Sequence, residues 1–197
     1  MILSQQDTDS LNSVSSALNV DPQWLYNVIN AESAWNPLAV SSMPTNQYRL
    51  SKGLDTVPEY ARGLIQFIDP TAQSLGFKDS QDLIDQYPDI SSQLLGPVYA
   101  YFAKQTPFTD ENDFYLSVFY PAGRGKPLDT VLPDSVRASN PNIVTLQDYI
   151  NNVKKNFVQE VIQTASQAVE TIKSNPLIII GFIAIIGFVI LKNYKKV

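Results

Sequence analysis

A single carboxylate, Glu32, falls on the apolar face of a predicted helix that begins after Asp21-Pro22. Asp is a common helix cap and Pro suits the first helical position. Apolar side chains then recur at helical spacing: Trp24, Leu25, Val28 and Ile29. Glu32 continues that face near the carboxyl end of the helix, before Asn36-Pro37. Burial and the helix dipole both disfavour the ionised carboxylate, so we expect a raised pKa for Glu32.

An acid that remains protonated near neutral pH could cleave a glycosidic bond. It would protonate the leaving oxygen while positive charge develops on the sugar carbon. The competing interpretation is a solvent-exposed Glu at a frayed helix end, since charged side chains are mostly exposed.

Composition excludes several other chemistries. The chain has no His and no Cys, so a Ser-His-Asp triad, a Cys-His pair and the usual zinc sites are not available. We expect neither a metal nor a cofactor. Residues 1–191 carry eleven basic and nineteen acidic side chains, a net charge of −8 without a basic cluster. Nucleic acid is therefore not an expected partner.

Two further motifs follow Glu32-Ser33: Gly63-Leu64-Ile65-Gln66-Phe67 and Phe119-Tyr120-Pro121-Ala122-Gly123. In order and spacing, the central hundred residues or so resemble the soluble lytic transglycosylase family, most closely its bacteriophage virion members. The resemblance implies a lysozyme-like fold and cleavage of peptidoglycan glycan strands. Ile65 stands where the family usually has Met. Pro121 stands where it usually has Asn, which removes an amide side chain and a backbone donor.

The resemblance also implies roles for individual residues. Glu32 is the expected catalytic acid and base. Gln66 and its neighbour Phe67 would line the glycan groove, with Gln66 gripping an acetamido group. Tyr120 would hold the acid, and either Ser41 or Ser42 would approach it.

A second acid would decide between inverting hydrolysis and cyclisation of the sugar onto its own hydroxymethyl group. The candidates are Asp55, Glu59 and Asp69. Asp69 precedes Pro70 and is interpreted as the cap of its own helix. Glu59 is predicted in an irregular loop or short hairpin over the groove, and remains the candidate second acid. The absence of a well-placed partner for Glu32 favours a transglycosylase that uses one carboxylate.

The remaining pattern is helical. A first helix is predicted around Leu11 to Leu18. Later helices are predicted over 80–86, 90–104 and 110–119, with Gly96-Pro97 interrupting or kinking the helix over 90–104. Residues 121–144 hold four prolines and are expected to be mostly loop. Apolar residues at intervals of three and four predict a long amphipathic helix over 145–175.

Residues 176–191 form a run of sixteen uncharged, mostly apolar residues, followed by Lys192, Lys195 and Lys196. As a helix this run spans roughly 24 Å, somewhat short of a hydrocarbon core of about 30 Å. Flanking lysines and Tyr194 can extend it. We expect a single membrane anchor rather than a buried core helix. The lysines predict a cytoplasmic carboxyl terminus, with the domain facing the wall. No cleavable signal peptide is expected at the amino terminus.

The sequence thus predicts a mostly α protein with four parts. They are a polar segment (1–10), a lysozyme-like transglycosylase domain (11–157), a helical stalk (158–175) and a transmembrane anchor with a basic tail (176–197). The predicted function is membrane-anchored cleavage of the β-1,4 bond between N-acetylmuramic acid and N-acetylglucosamine, as part of a virion or host inner membrane. Capsid proteins, or another copy through the stalk, are candidate partners. The alternative is a structural virion protein whose lysozyme-like domain has little or no activity.

Overall fold

The computed structural model describes residues 3–155, and its elements are almost all helices. They are α1 Gln5–Leu18, α2 Pro22–Ser33, α3 Gln47–Ser51, α4 Asp69–Ser74, α5 Ser80–Gln86, α6 Ile90–Gln93, α7 Tyr99–Ala103, α8 Glu111–Phe119 and α9 Asp134–Arg137. A last helix, α10, covers 146–155. Within 3–155 strand pairing is limited to three isolated bridges. The predicted mostly α class is confirmed.

The helices begin at capping side chains. Ser4 accepts a hydrogen bond from the backbone of Asp7 at the start of α1. Asp21 and Asp110 do the same for α2 and α8. Because α1 begins at Gln5, most of the segment predicted as a separate polar region, 1–10, is part of the first helix.

The core is built around α2. Leu25, Val28 and Ile29 are fully buried on its inner face, as the helical spacing predicted. Phe102 of α7 and Phe114 of α8 stack at a centroid distance of 4.5 Å behind them. The carboxyl end of α2, which carries Glu32, is thereby fixed against helices from later in the chain.

The predicted interruption at Gly96-Pro97 is a π-helical turn, Leu94–Val98, that joins α6 to α7. Gly96 is required there because a Cβ would lie 2.4 Å from the ring of Tyr87. The helix therefore continues through the proline with a wider turn and does not end at it.

The segment 42–60 contains the helix α3 and ends with the stretch around Glu59 that was predicted as an irregular loop or short hairpin. Asn46 organises it: its amide nitrogen donates to Asp55 at 3.0 Å and to the carbonyl of Val57 at 2.9 Å. Its amide oxygen accepts from the backbone of Glu59. We call residues 42–60 the flap.

The chain divides into a compact unit, Met1–Asn156, and a second part, Phe157–Val197. The predicted stalk (158–175) and anchor (176–197) lie outside the described residues. Among residues 3–155, no helix has the length and apolarity needed to cross a membrane.

Candidate active site

Glu32 is the penultimate residue of α2, and the chain turns sharply after it. Ala34 and Trp35 both adopt left-handed backbone conformations, with φ of 50° and 64°. Trp35 is completely buried, and its ring centroid lies 5.1 Å from that of Tyr26 in α2. The indole therefore locks the turn and fixes the direction of the helix end.

The carboxyl group of Glu32 accepts one short hydrogen bond. The hydroxyl of Tyr149 donates to its Oε1 at 2.6 Å. Burial raises the pKa of Glu32 to about 7, and the bond from Tyr149 opposes part of that rise. The raised pKa predicted for this acid is confirmed, with burial as its main cause. Glu32 can therefore act as a proton donor near neutral pH.

Tyr149 is held on α10 as firmly as the acid is held on α2. It is 2% exposed, and its ring stacks on Phe119 with centroids 4.2 Å apart and planes 9° apart. Burial and the adjacent Glu32 keep the pKa of Tyr149 well above its usual value. The phenol therefore stays neutral and remains a hydrogen-bond donor.

A second phenol, Tyr101 of α7, lies close enough to respond to the same acid. Burial raises its pKa to about 12, and the charge of Glu32 contributes to the shift. The hydroxyl of Tyr101 donates to the carbonyl of Ser117. Tyr101 of α7 and Tyr149 of α10 are thus phenols whose pKa values respond to Glu32.

The structure assigns to Tyr149 the holding role that the sequence assigned to Tyr120. Tyr120 is half-buried, its ring packs against Gly123, and its hydroxyl makes no hydrogen bond to any residue within 3–155. Sequence reasoning missed Tyr149, whose only signal was a phenol on the buried stripe of the predicted last helix. Tyr120 remains a candidate for contact with substrate.

The motif at 63–67 forms a tight turn closed by reciprocal backbone bonds between Arg62 and Phe67. Gln66 adopts a left-handed conformation, φ 55°, and its side-chain amide donates to the carbonyl of Gly63 at 3.0 Å. The amide oxygen of Gln66 has no hydrogen-bond partner in the described part of the chain. A strained, half-buried Gln with a free acceptor suits contact with the N–H of an acetamido group.

Phe67 has a different position from the one predicted. It is 2% exposed and packs edge-on against Tyr101 at 6.2 Å. Its ring belongs to the core and supports Tyr101; it does not line an open groove.

Of the two candidate serines, Ser41 is part of the backbone scaffold. Its hydroxyl donates to the carbonyl of Met43 at 2.9 Å and accepts from the backbone of Ala61 at 3.0 Å. Ser42 is exposed, and its hydroxyl has no hydrogen-bond partner among residues 3–155. Ser42 is thus the serine that is free to bind a ligand.

None of the candidate second acids is placed as a partner of Glu32. Glu59 is exposed and is tied into the flap by its backbone. Asp55 pairs with Arg49, which lowers the pKa of Asp55. Asp69 was predicted to cap its own helix, but its carboxylate accepts both the backbone N–H and the hydroxyl of Ser80, at the start of α5. Within 3–155 no group of carboxylates could hold a metal ion.

Arg124 follows the 119–123 motif and was not predicted as important. Its guanidinium bonds both carboxylate oxygens of Asp113, at 2.6 and 2.8 Å, and the carbonyls of Gln105 and Pro107. It also lies 5.2 Å from the centroid of Phe108. This arginine joins the turn after Phe119 to α8 and to the loop before it, and so supports the ring that stacks on Tyr149.

Residues 9–106 match the family model described as Transglycosylase SLT domain. The matched region covers most of α1 and all of α2 to α7, and it includes Glu32 and Gln66. The match supports the SLT family, and with it a lytic transglycosylase type of glycosidase acting on peptidoglycan. Comparisons with curated proteins and with solved structures gave no match. The 119–123 motif and Tyr149 lie beyond the matched residues.

Proposed function

We propose that the protein is a peptidoglycan lytic transglycosylase in which Glu32 is both acid and base. The observation that carries this proposal is the half-buried Glu32 carboxyl, with its pKa raised to about 7 and its Oε1 held by Tyr149 at 2.6 Å. A carboxylic acid with this pKa can donate a proton at neutral pH and accept it back later.

In the first step, Glu32 protonates the oxygen of the β-1,4 bond between N-acetylmuramic acid and N-acetylglucosamine. The bond from that oxygen to the anomeric carbon breaks, and positive charge develops on the muramic acid ring. In the second step, the Glu32 carboxylate takes the proton of the ring's own hydroxymethyl group, whose oxygen bonds to the anomeric carbon. The product is an anhydro sugar, and Glu32 is protonated again.

Cyclisation is favoured over inverting hydrolysis because, among residues 3–155, no second carboxylate is placed as a partner of Glu32. Inversion needs a base on the other side of the sugar, with room for water between the two groups. The carboxylates of Asp55 and Asp69 are engaged by Arg49 and Ser80, and Glu59 is an exposed residue of the flap. Gln66 would bind an acetamido group, while Ser42 and Tyr120 would contact the glycan nearby.

The decisive experiment incubates the full-length chain, in detergent micelles, with purified peptidoglycan and identifies soluble products by mass spectrometry. We expect muropeptides lighter by one water than hydrolysis products, and none with the Glu32→Gln variant. Glu59→Gln is the matched control and should keep full activity. Products that retain the water would refute cyclisation. No release by a folded protein would favour the structural virion role.

We further propose that the enzyme is anchored to a membrane and associated with a virion. The support is sequence alone: the uncharged run 176–191, the lysines that follow it, and the resemblance to phage virion enzymes. An anchor would raise the local enzyme concentration at the wall, which a domain of net negative charge cannot achieve by attraction to anionic peptidoglycan. Flotation of the full-length chain with liposomes, compared with a chain ending at Asn156, tests the anchor.

A further inference from the structure

A chain of polar contacts runs from α10 to α2 through α8. Lys154 of α10 pairs with Oε2 of Glu111 at 2.9 Å. The other oxygen of Glu111 accepts the hydroxyl of Tyr115 at 2.7 Å. That hydroxyl accepts the side-chain amide of Asn27, on α2, at 3.0 Å. Four side chains therefore connect three helices.

The inner half of this chain is buried. Tyr115 is 0% exposed and Asn27 is 4% exposed. A partly exposed ion pair such as Lys154 with Glu111 contributes little on its own. Here the ion pair contributes more to stability because it continues into buried hydrogen bonds. A buried polar group that loses its partner destabilises the fold.

The same two helices also meet at the acid. Tyr149 precedes Lys154 on α10, and Asn27 precedes Glu32 on α2. Helices α2 and α10 are therefore connected twice, once directly through Tyr149 and Glu32 and once through Glu111. A slide or rotation of α10 that lengthened the direct bond would have to break the second connection as well.

We propose that Glu111, acting through Lys154 and Tyr115, is a positioning residue that holds α10 and α2 in the register at which Tyr149 reaches Glu32. The proposal rests on the proposed role of Glu32 as the acid. It adds a second connection to α2, which ends on Asn27 and whose other members, Lys154, Glu111 and Tyr115, lie in α8 and α10 beyond the residues that match the family. It also places the last link, Lys154, next to the point where the chain leaves the compact unit.

The test follows the titration of Glu32 itself, so it does not depend on cleavage of glycan. The chain has five glutamates, so carboxyl-labelled Glu gives a simple carbon NMR spectrum. The Glu32→Gln variant of the full-length chain assigns the Glu32 signal. Among residues 3–155, the titratable groups that face this carboxyl are the phenols Tyr149 of α10 and Tyr101 of α7.

The shift in the Glu32 midpoint caused by losing the direct bond is the reference for the other variants. Tyr149→Phe should raise the midpoint of Glu32 by about one unit, because a donor to the carboxylate is removed. Glu111→Gln should raise it by a fraction of that amount. A direct electrostatic effect would have the opposite sign, since removing a negative charge lowers the pKa of a neighbouring acid. In a Tyr149→Phe background, Glu111→Gln should cause no further rise.

Lys154→Gln and Lys155→Gln form the matched pair. Both remove one positive charge from α10, but within the described residues only Lys154 pairs with an acid. We expect a larger rise for Lys154→Gln. Because Lys154 is 45% exposed, this variant should fold even if Glu111→Gln does not. An unchanged midpoint in Lys154→Gln, an equal shift in Lys155→Gln, or an undiminished shift in the Tyr149→Phe background would each overturn the proposal.

Discussion

Glu32 has a pKa of about 7 in the folded protein and a usual value of 4.5. Between these values the folded protein holds a proton that the unfolded chain releases, so folding becomes less favourable as pH rises through this window. The difference amounts to about 3 kcal/mol once pH exceeds 7. The acid therefore destabilises the fold under the conditions in which it would work.

Glu32→Gln should make the protein more stable at pH 8, by about 2–3 kcal/mol in the free energy of unfolding. At pH 4 the gain should vanish, because Glu32 is then mostly protonated in both the folded and the unfolded protein. Urea unfolding at the two pH values measures this, with Glu59→Gln as an exposed control. Equal effects at pH 4 and pH 8 would show that Glu32 is not protonated by burial.

Arg124 is predicted to matter for stability and not for proton transfer. Arg124→Gln leaves the nearly buried carboxylate of Asp113 without its bidentate partner, which should cost about 2–4 kcal/mol. In the control, Arg137→Gln, the lost partner is the exposed Asp134, and the cost should stay below about 1 kcal/mol. Denaturant midpoints of both variants decide the point. Similar losses would mean that Arg124 is an ordinary surface arginine.

Glu32 could be predicted because it interrupts an apolar stripe, and a lone acid there is a local signal. Tyr149 could not, since its partner is 117 residues away in the sequence and its stripe shows only that the ring is buried. Phe67 was misplaced because a family motif names residues near a site without saying which side chains face it. Arg124 lacked any local signal because all its partners come from tertiary structure.

At the scale of elements, the turn 63–67 depends on Gln93 of helix α6. Gln93 of α6 is completely buried, and its amide oxygen accepts the backbone N–H of Leu64 at 2.9 Å. Its amide nitrogen donates to the carbonyls of Pro37 and Tyr87. Gln93 therefore joins the segment after the acid to the motif that carries Gln66.

Gly63→Ala tests this junction. Gly63 has φ 78°, and a Cβ there would lie 2.8 Å from the amide oxygen of Gln93. We expect a loss of about 3 kcal/mol, combining backbone strain with displaced buried hydrogen bonds. Gly53→Ala is the matched control: φ is 66° but a Cβ meets nothing within 4 Å, so only about 1 kcal/mol of strain is expected. Equal losses would mean that Gln93 moves aside without cost.

Helices with a cap and an apolar stripe could be predicted nearly to their ends, as α2, α5 and α8 show. The short α3 and α9 could not, because neither has a long apolar periodicity. They are held by tertiary bonds instead, such as those from Ser139 to the carbonyls of Pro44 and Thr45. The stretch around Glu59 was therefore predicted as irregular, although the side chain of Asn46 orders this part of the flap.

At the scale of the whole molecule, the core extends well beyond residues 9–106. Side chains of α8 and α10 are among its most buried members: Phe114, Tyr115, Leu116, Leu146, Tyr149, Ile150 and Val153. The mostly α class followed from the sequence because it depends on local periodicity. The position of Tyr149, the partner of Glu32, on α10 could not be predicted in the same way, because the spacing of residues does not show which helices pack together.

A chain that ends at Thr106 should therefore fail to fold, although it contains the entire matched region. It loses α8 and α10, and each large buried side chain removed from a core costs about 2–5 kcal/mol. Several such losses exceed the total stability of a typical domain, about 5–15 kcal/mol. A chain that ends at Asn156 keeps these helices and should unfold in one cooperative thermal transition, with Glu32 still titrating near pH 7. Circular dichroism melts compare the two directly. A cooperative transition in the shorter chain would show that the matched region is an independent domain and that α8 and α10 only decorate it.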